Sequence, residues 1–175
     1  RHPPLDDTMR LFVNCLPQTF YEDMRELESL LDVWRASGLS THQLVLEVTE
    51  NITREQLRRI LPNIDALRSR GVRFALDDVG TGAANLELLA HMAPAFMKMD
   101  MSLTIGIAKS QRKRDLAAYL LELAQRLDAK LIAEGIERED DMSALLALGV
   151  PLGQGFLLGH PRPHDAFLAP KEANA

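Results

Sequence analysis

Six short apolar runs divide this chain, and each closes on a carboxylate, amide or ammonium: Asn14 in LFVNC, Glu47 in LVLEVTE, Asp77 and Asp78 in RFALDD, Lys98 in FMKMD, Glu134 in LIAEG and Gln154 in PLGQG. Helix-like segments lie between them. Strands that alternate with helices build a parallel sheet, and such sheets carry their ligands at the carboxyl ends of the strands. The polar residues fall at those ends, so the pattern predicts one acidic site assembled from several strands.

Several classes are excluded by composition. With 175 residues, 46% of them hydrophobic, the chain can bury the core of a single domain. Twenty Lys plus Arg against 25 Asp plus Glu, a net charge of -5, offers no surface for a DNA or RNA duplex. A small anionic ligand stays compatible if metal ions reverse the local sign. The lone Cys15 sits in an apolar run, which rules out a disulfide scaffold and assigns it to packing. No apolar run reaches the roughly 20 residues needed to span a bilayer, and RHPPLDD does not resemble a signal peptide, so this segment is expected to make no membrane contact and to lie in the cytoplasm, as part of a protein that an anchor elsewhere could hold to a membrane. A start on Arg1 rather than Met points to a fragment or a processed chain.

Periodicity fills in the helices. From Phe20 to Ser37 the apolar residues Leu27, Leu30, Leu31 and Trp34 recur at helical spacing, with Gly38 placed as the terminal cap. Thr53 with Gln56 forms a capping-box pattern ahead of Leu57, Ile60, Leu61, Ile64 and Leu67, and Gly71 ends that helix, which Pro62 should kink. VGTGAAN reads as a loop before a short helix over Leu86 to His91. Leu116, Tyr119, Leu120, Leu123 and Leu127 predict the face of another helix, and Met142, Leu145 and Leu146 one more, closed by Gly149. Met97, Met99 and Met101 alternate at strand spacing as gap-filling core. Arg112, Lys113 and Arg114 read as a solvated first helical turn, and His160 and His164 as loop residues.

The fold class expected is α/β, a TIM-like (β/α) barrel with about six of the eight strands of a closed barrel, which typically needs ~250 residues. The first two βα units are missing from this stretch. Residues 1–168 are expected to form the barrel domain and 169–175 a disordered tail. The Pro-rich carboxyl-terminal segment should cover the barrel floor or fray.

Asn14, Glu47, Asp77, Asp78 and Glu134 offer only oxygen donors, the preference of hard cations such as Mg²⁺ or Mn²⁺, and the absence of His or Cys among them disfavours zinc. Adjacent Asp77 and Asp78 can hold two ions side by side, an arrangement suited to phosphodiester hydrolysis. Lys98, in an apolar strand, needs a buried partner and is placed to orient the nucleophile or neutralise charge.

LEVTEN, ALDDVGTG, FMKMD, IAEGIE and GQGFLLGHPRP, in that order, resemble the EAL family of cyclic di-GMP phosphodiesterases over nearly the whole chain. The resemblance implies hydrolysis of cyclic di-GMP to linear pGpG with two Mg²⁺ or Mn²⁺ ions. It implies Asn14 and Glu47 as ligands of the first metal, Asp77 as the bridge, and Asp78 and Glu134 on the second metal, with Glu134 and Lys98 serving catalysis. Gln154, Asp100 and Glu137 are implied at the substrate, Glu50 and Thr81 as supports of the loop after Asp78, and a homodimer as the assembly. Departures from the family pattern are Val79 for the usual Phe, Ala83 and Ala84 after the Gly-Thr-Gly stretch, and Met99 for Ile. The Glu-Ala-Leu strand that names the family lies outside this sequence.

Two other function classes stay open. Folds of this kind lacking one metal ligand serve as cyclic di-GMP receptors, binding without cleavage, and a scaffolding fragment would do neither.

Overall fold

The computed structural model describes residues 8–22, 24–49, 52–80 and 86–162. Six strands form one sheet: β1 (Leu11–Asn14), β2 (Leu44–Thr49), β3 (Arg73–Val79), β4 (Phe96–Met99), β5 (Lys130–Ala133) and β6 (Leu152–Gly153). Their spatial order is their sequence order and every neighbouring pair is parallel. Each link between strands therefore crosses over through helical structure: α1 (Thr19–Glu22) and α2 (Met24–Ala36), α3 (Arg54–Ser69), α4 (Leu86–Met92), α5 (Met101–Thr104) with α6 (Gln111–Arg126), and α7 (Glu139–Leu148). Singly wound in this way, the helices gather on one face and leave the other concave, which makes a half-barrel of the predicted class.

Strand alternation divides the apolar residues between the two faces. Leu44, Leu46, Val48, Phe74, Leu76, Met97, Met99 and Leu131 belong to the large core under the helices. Val45, Ala75, Phe96 and Ile132, with Phe12 packed against them, form a smaller cluster inside the curve. The rings of Phe12 on β1 and Phe96 on β4 meet edge to face at 5.1 Å, although three strand spacings separate their strands. In a flat sheet those spacings amount to roughly 14 Å. The contact across them measures how tightly the sheet curls.

The helices owe their limits to local chemistry. Thr53 and Gln56 exchange the two reciprocal capping-box bonds at the start of α3, whose buried stripe is Leu57, Ile60, Ile64 and Leu67, with Pro62 inside the helix. A second capping box, Ser40 with Gln43, opens the 3₁₀ turn leading into β2. Gly149 takes the left-handed conformation that ends α7.

Four sequence expectations need correcting. On α6 the inward residues are Ala117, Leu120 and Ala124, whereas Leu116 and Tyr119 are 49% and 61% exposed. Two alanines flank Leu120 on the inward face, with Leu123 and Leu127 partly buried beside them, and only Leu116 and Tyr119 turn outward. Leu146 on α7 is likewise exposed, leaving Leu145 as the buried contact. Met101 is not a strand residue: Asp100 caps a helix there, and Met101 opens α5 half exposed. Lys113 and Arg114 are more than solvated charges, because both donate to carbonyls of the segment between β4 and α6. The expected tail 169–175 lies outside the described residues, as does most of the Pro-rich segment.

Candidate cation site at the strand ends

Asp77 follows the alternation of β3 and faces the concave side, one register level beyond Ala75. Asp78 breaks it. Its φ of 59° is left-handed, and the pairing of β3 with β4 slips between Leu76 opposite Met97 and Val79 opposite Met99. Three steps on one strand match two on the other, a β-bulge. Val79 then returns to the core under the helices. The extra residue gives neighbours in sequence access to one site, which an undisturbed strand forbids.

Carboxylate oxygens of Asp77, Asp78 and Glu134 all lie within 4.8 Å of one another. Lys98, one strand over and 6% exposed, reaches into the same space. Its ammonium donates to Asp77 Oδ1 at 2.8 Å and Glu47 Oε2 at 3.1 Å and pairs with Glu134 Oε1 at 2.8 Å. One cation thus gathers acids from β2, β3 and the end of β5. Burial works against the charged ammonium, but the hydrogen bonds to Asp77, Glu134 and Glu47 outweigh it and hold its pKa above the usual lysine range.

The acids are less well compensated. Burial raises the Glu134 carboxyl above its ordinary value, the charges of Asp77 and Glu47 add to that, and Lys98 only partly offsets them. Burial also raises Asp78, reinforced by Asp77 and Asp100. Four carboxylates around one ammonium make a pocket in want of positive charge. Its donors are all oxygen, the set that suits Mg²⁺ or Mn²⁺, so these residues fit hard divalent ions on chemical grounds.

The remaining predicted residues fall around this centre. Asn14 ends β1 with its Cα opposite that of Glu47, but its side chain is exposed at the sheet edge. Asp100 caps α5 through Ser102 N–H at 2.8 Å, a structural duty the sequence reading did not foresee. Gln154 follows β6, its backbone bonded to Ala133 and Ile136 and its side chain exposed; Glu137 is exposed as well. Glu50 and Thr81 lie outside the described residues. Cys15 is buried, and burial pushes its thiol up to about 11, in keeping with a packing role. Sequence reasoning missed Asp141, 3% exposed, which accepts from the Gly106 and Ala108 N–H groups. It stands in a run of acids that reads as a solvated first turn.

A parallel half-barrel with an oxygen-lined acidic cluster at the carboxyl ends of its strands defines the class: a β/α-barrel domain. The chain belongs to the EAL domain family, whose model matches residues 2–161. Among its relatives is the cyclic di-GMP phosphodiesterase NbdA of Pseudomonas aeruginosa, 32% identical over 165 residues, which cover 92% of this chain and 20% of the relative. The chain thus spans about a fifth of that protein. Solved structures of similar fold include BlrP1 of Klebsiella pneumoniae in a calcium/cy-diGMP complex, with TM-score 0.78, 32% identity and coverage of 85% of this chain and 38% of that one. The EAL domain of Mycobacterium smegmatis DcpA matches with TM-score 0.83 and 28% identity, over 90% of this chain and 70% of that one.

Proposed function

We propose that this domain hydrolyses cyclic di-GMP to linear pGpG, using Mg²⁺ or Mn²⁺ held by the strand-end acids. The observation that carries the reading is the convergence of Asp77, Asp78 and Glu134 within 4.8 Å, with the Lys98 ammonium among them. Asp77, Asp78 and Glu134, with Glu47 and Asn14, would hold the ions, in the division of roles that the family resemblance implies. When bound, such ions lower the pKa of water and stabilise negative charge building at phosphorus. Lys98, kept charged by its acid partners, orients the attacking water and offsets charge in the transition state. Gln154, Asp100 and Glu137 are assigned to the substrate, and Glu50 and Thr81 to support of the loop after Asp78, on the family resemblance.

Cytoplasmic placement and a homodimer belong to the same reading. Among the described residues no helix is long and apolar enough to cross a membrane. Exposed Met101, Ile105, Leu116 and Tyr119 on and beside α5 and α6 supply apolar surface for a second copy, and light scattering reads its presence.

Incubation of the protein with cyclic di-GMP in Mn²⁺, and separately in Ca²⁺, followed by chromatography of the products tests the activity. Appearance of pGpG in Mn²⁺, abolished by Glu47→Ala, is expected; turnover that survives this substitution removes the proposal. One observation favours a receptor instead: Asn14 is exposed on the edge strand, so the site is open on that side. Binding of cyclic di-GMP with no product in either metal would select that alternative.

A further inference from the structure

Asp77 and Asp78 lie at the end of β3 and Glu134 directly follows β5, and the turns that continue from these two strands, at Gly80 and Gly135, both approach α5. A Cβ on Gly80 would meet Leu103 Cδ1 at 2.6 Å, and one on Gly135 would meet Met101 Cβ at 2.5 Å. At Gly135 the approach is to the Cβ and Cα of Met101, which leaves room only for glycine, and Gly80, beside the end of the Leu103 side chain, is held to glycine by its φ of 106°. Val79 and Met99 tie the arrangement together, since their carbonyls accept from Asp100 N–H and Glu134 N–H. The short helix acts as a spacer with Asp77 and Asp78 on one side and Glu134 on the other.

Three charged side chains grip the far end of that spacer. Asp141 on α7 accepts from Gly106 N–H and Ala108 N–H, each at 3.0 Å, and is buried more deeply than Glu47 or Lys98. Lys113 on α6 donates to the carbonyls of Ser102 and Ile105, each at 2.6 Å. Arg114 donates to Ile107 O and Ala108 O. The segment they hold turns left-handed at Gly106, with φ of 77°, between the four-residue α5 and a single 3₁₀ turn over Ile107–Lys109.

We infer that Asp141 is a positioning residue for the cation site: by fixing Gly106 to Ala108 it seats α5 and so sets the distance from Asp77 and Asp78 to Glu134. This rests on the proposed reading that those acids hold a divalent ion. Mg²⁺ and Mn²⁺ require short, nearly octahedral contacts, whereas Ca²⁺ accepts more ligands at longer and more variable distances. A spacer that drifts by a few tenths of an ångström should therefore weaken the smaller ions and spare Ca²⁺. Loss of selectivity is the signature of lost positioning, and general destabilisation does not produce it.

The test is calorimetric titration of the whole chain with MnCl₂ and with CaCl₂, for the wild type, Asp141→Asn, Lys113→Met and, as a control on the outer face of α6, Arg126→Gln. Asp141→Asn keeps the size but leaves one of the two N–H groups without its carboxylate oxygen. It should weaken Mn²⁺ about tenfold, the scale of groups that support metal ligands from behind, with Ca²⁺ affinity nearly unchanged. Lys113→Met should act in the same direction and Arg126→Gln not at all. Wild-type Mn²⁺ affinity in both folded variants, or an equal loss of both metals, overturns the inference. If Asp141→Asn does not fold, Lys113→Met decides alone. A wild type that takes up neither metal removes the cation site itself, and the positioning role with it.

Discussion

Asp77 and Asp78 are consecutive in a β-strand, yet their carboxylates lie within 4.8 Å of each other and of Glu134. The left-handed turn at Asp78 makes this possible, at φ 59°. Asp and Asn tolerate that conformation, whereas other side chains lose roughly 1–2 kcal/mol in it. Asp78→Asn should unfold at a denaturation midpoint no lower than the wild type's and lose Mn²⁺ binding by more than about tenfold. Asp78→Val should lose the metal and also unfold at lower denaturant, by about 1–2 kcal/mol. Equal stability of the two variants in urea titrations would contradict this account of the bulge.

Lys98 is the cation on which the metal-free pocket depends. Removing one member of a buried charge cluster typically costs about 3–5 kcal/mol, because the partners are left uncompensated. Lys98→Met should therefore lower the melting temperature markedly in chelator and recover part of the loss when Mn²⁺ is added. A melting curve that is insensitive to the substitution would show that the three ion pairs contribute little.

The raised Asp78 and Glu134 carboxyls give a pH dependence with a definite sign. Their ordinary values lie near roughly 4, and in the folded protein they hold protons to higher pH. Their ionisation therefore opposes folding, and their unfavourable contribution grows as pH rises through the folded values. Metal binding requires the ionised forms, so protons compete with Mn²⁺ above the normal carboxylate range. Calorimetry at pH 5 and pH 7 should show weaker Mn²⁺ binding at the lower pH, accompanied by proton release.

Asp141 has the opposite sign. Burial alone would raise it, but the Ala108 and Gly106 N–H groups, with Arg138 and Lys113 nearby, hold its carboxyl below the usual range. Its contribution to stability is present above the unfolded value of roughly 4 and disappears as pH falls through the lower folded value. Wild type and Asp141→Asn should converge in stability in acid and separate above about pH 4, as followed by urea unfolding across that range.

The fold was legible because its signals were redundant. Each strand was an apolar run ending in a polar residue, and Thr53 with Gln56 announced α3 through a capping box that the structure reproduces. What stayed hidden depended on rotation and on distant partners. On α6 the expected Leu120, Leu123 and Leu127 do meet the core, but Leu116 and Tyr119 do not, and Ala117 and Ala124, which complete the buried face, carried too weak an apolar signal to reveal it. The residue types gathered at the site were foreseen, but the bulge at Asp78 and the burial of Asp141 arise from the pairing of separate segments, which no local window contains.

The curl of the sheet, recorded by Phe12 against Phe96, also has an electrostatic consequence. Bending turns the carboxyl ends of β2, β3 and β5 toward a common axis, so that a lysine on β4 reaches acids from three other segments at once. A flat sheet would spread those charges along its rim, each facing water, and no single ammonium could neutralise them together.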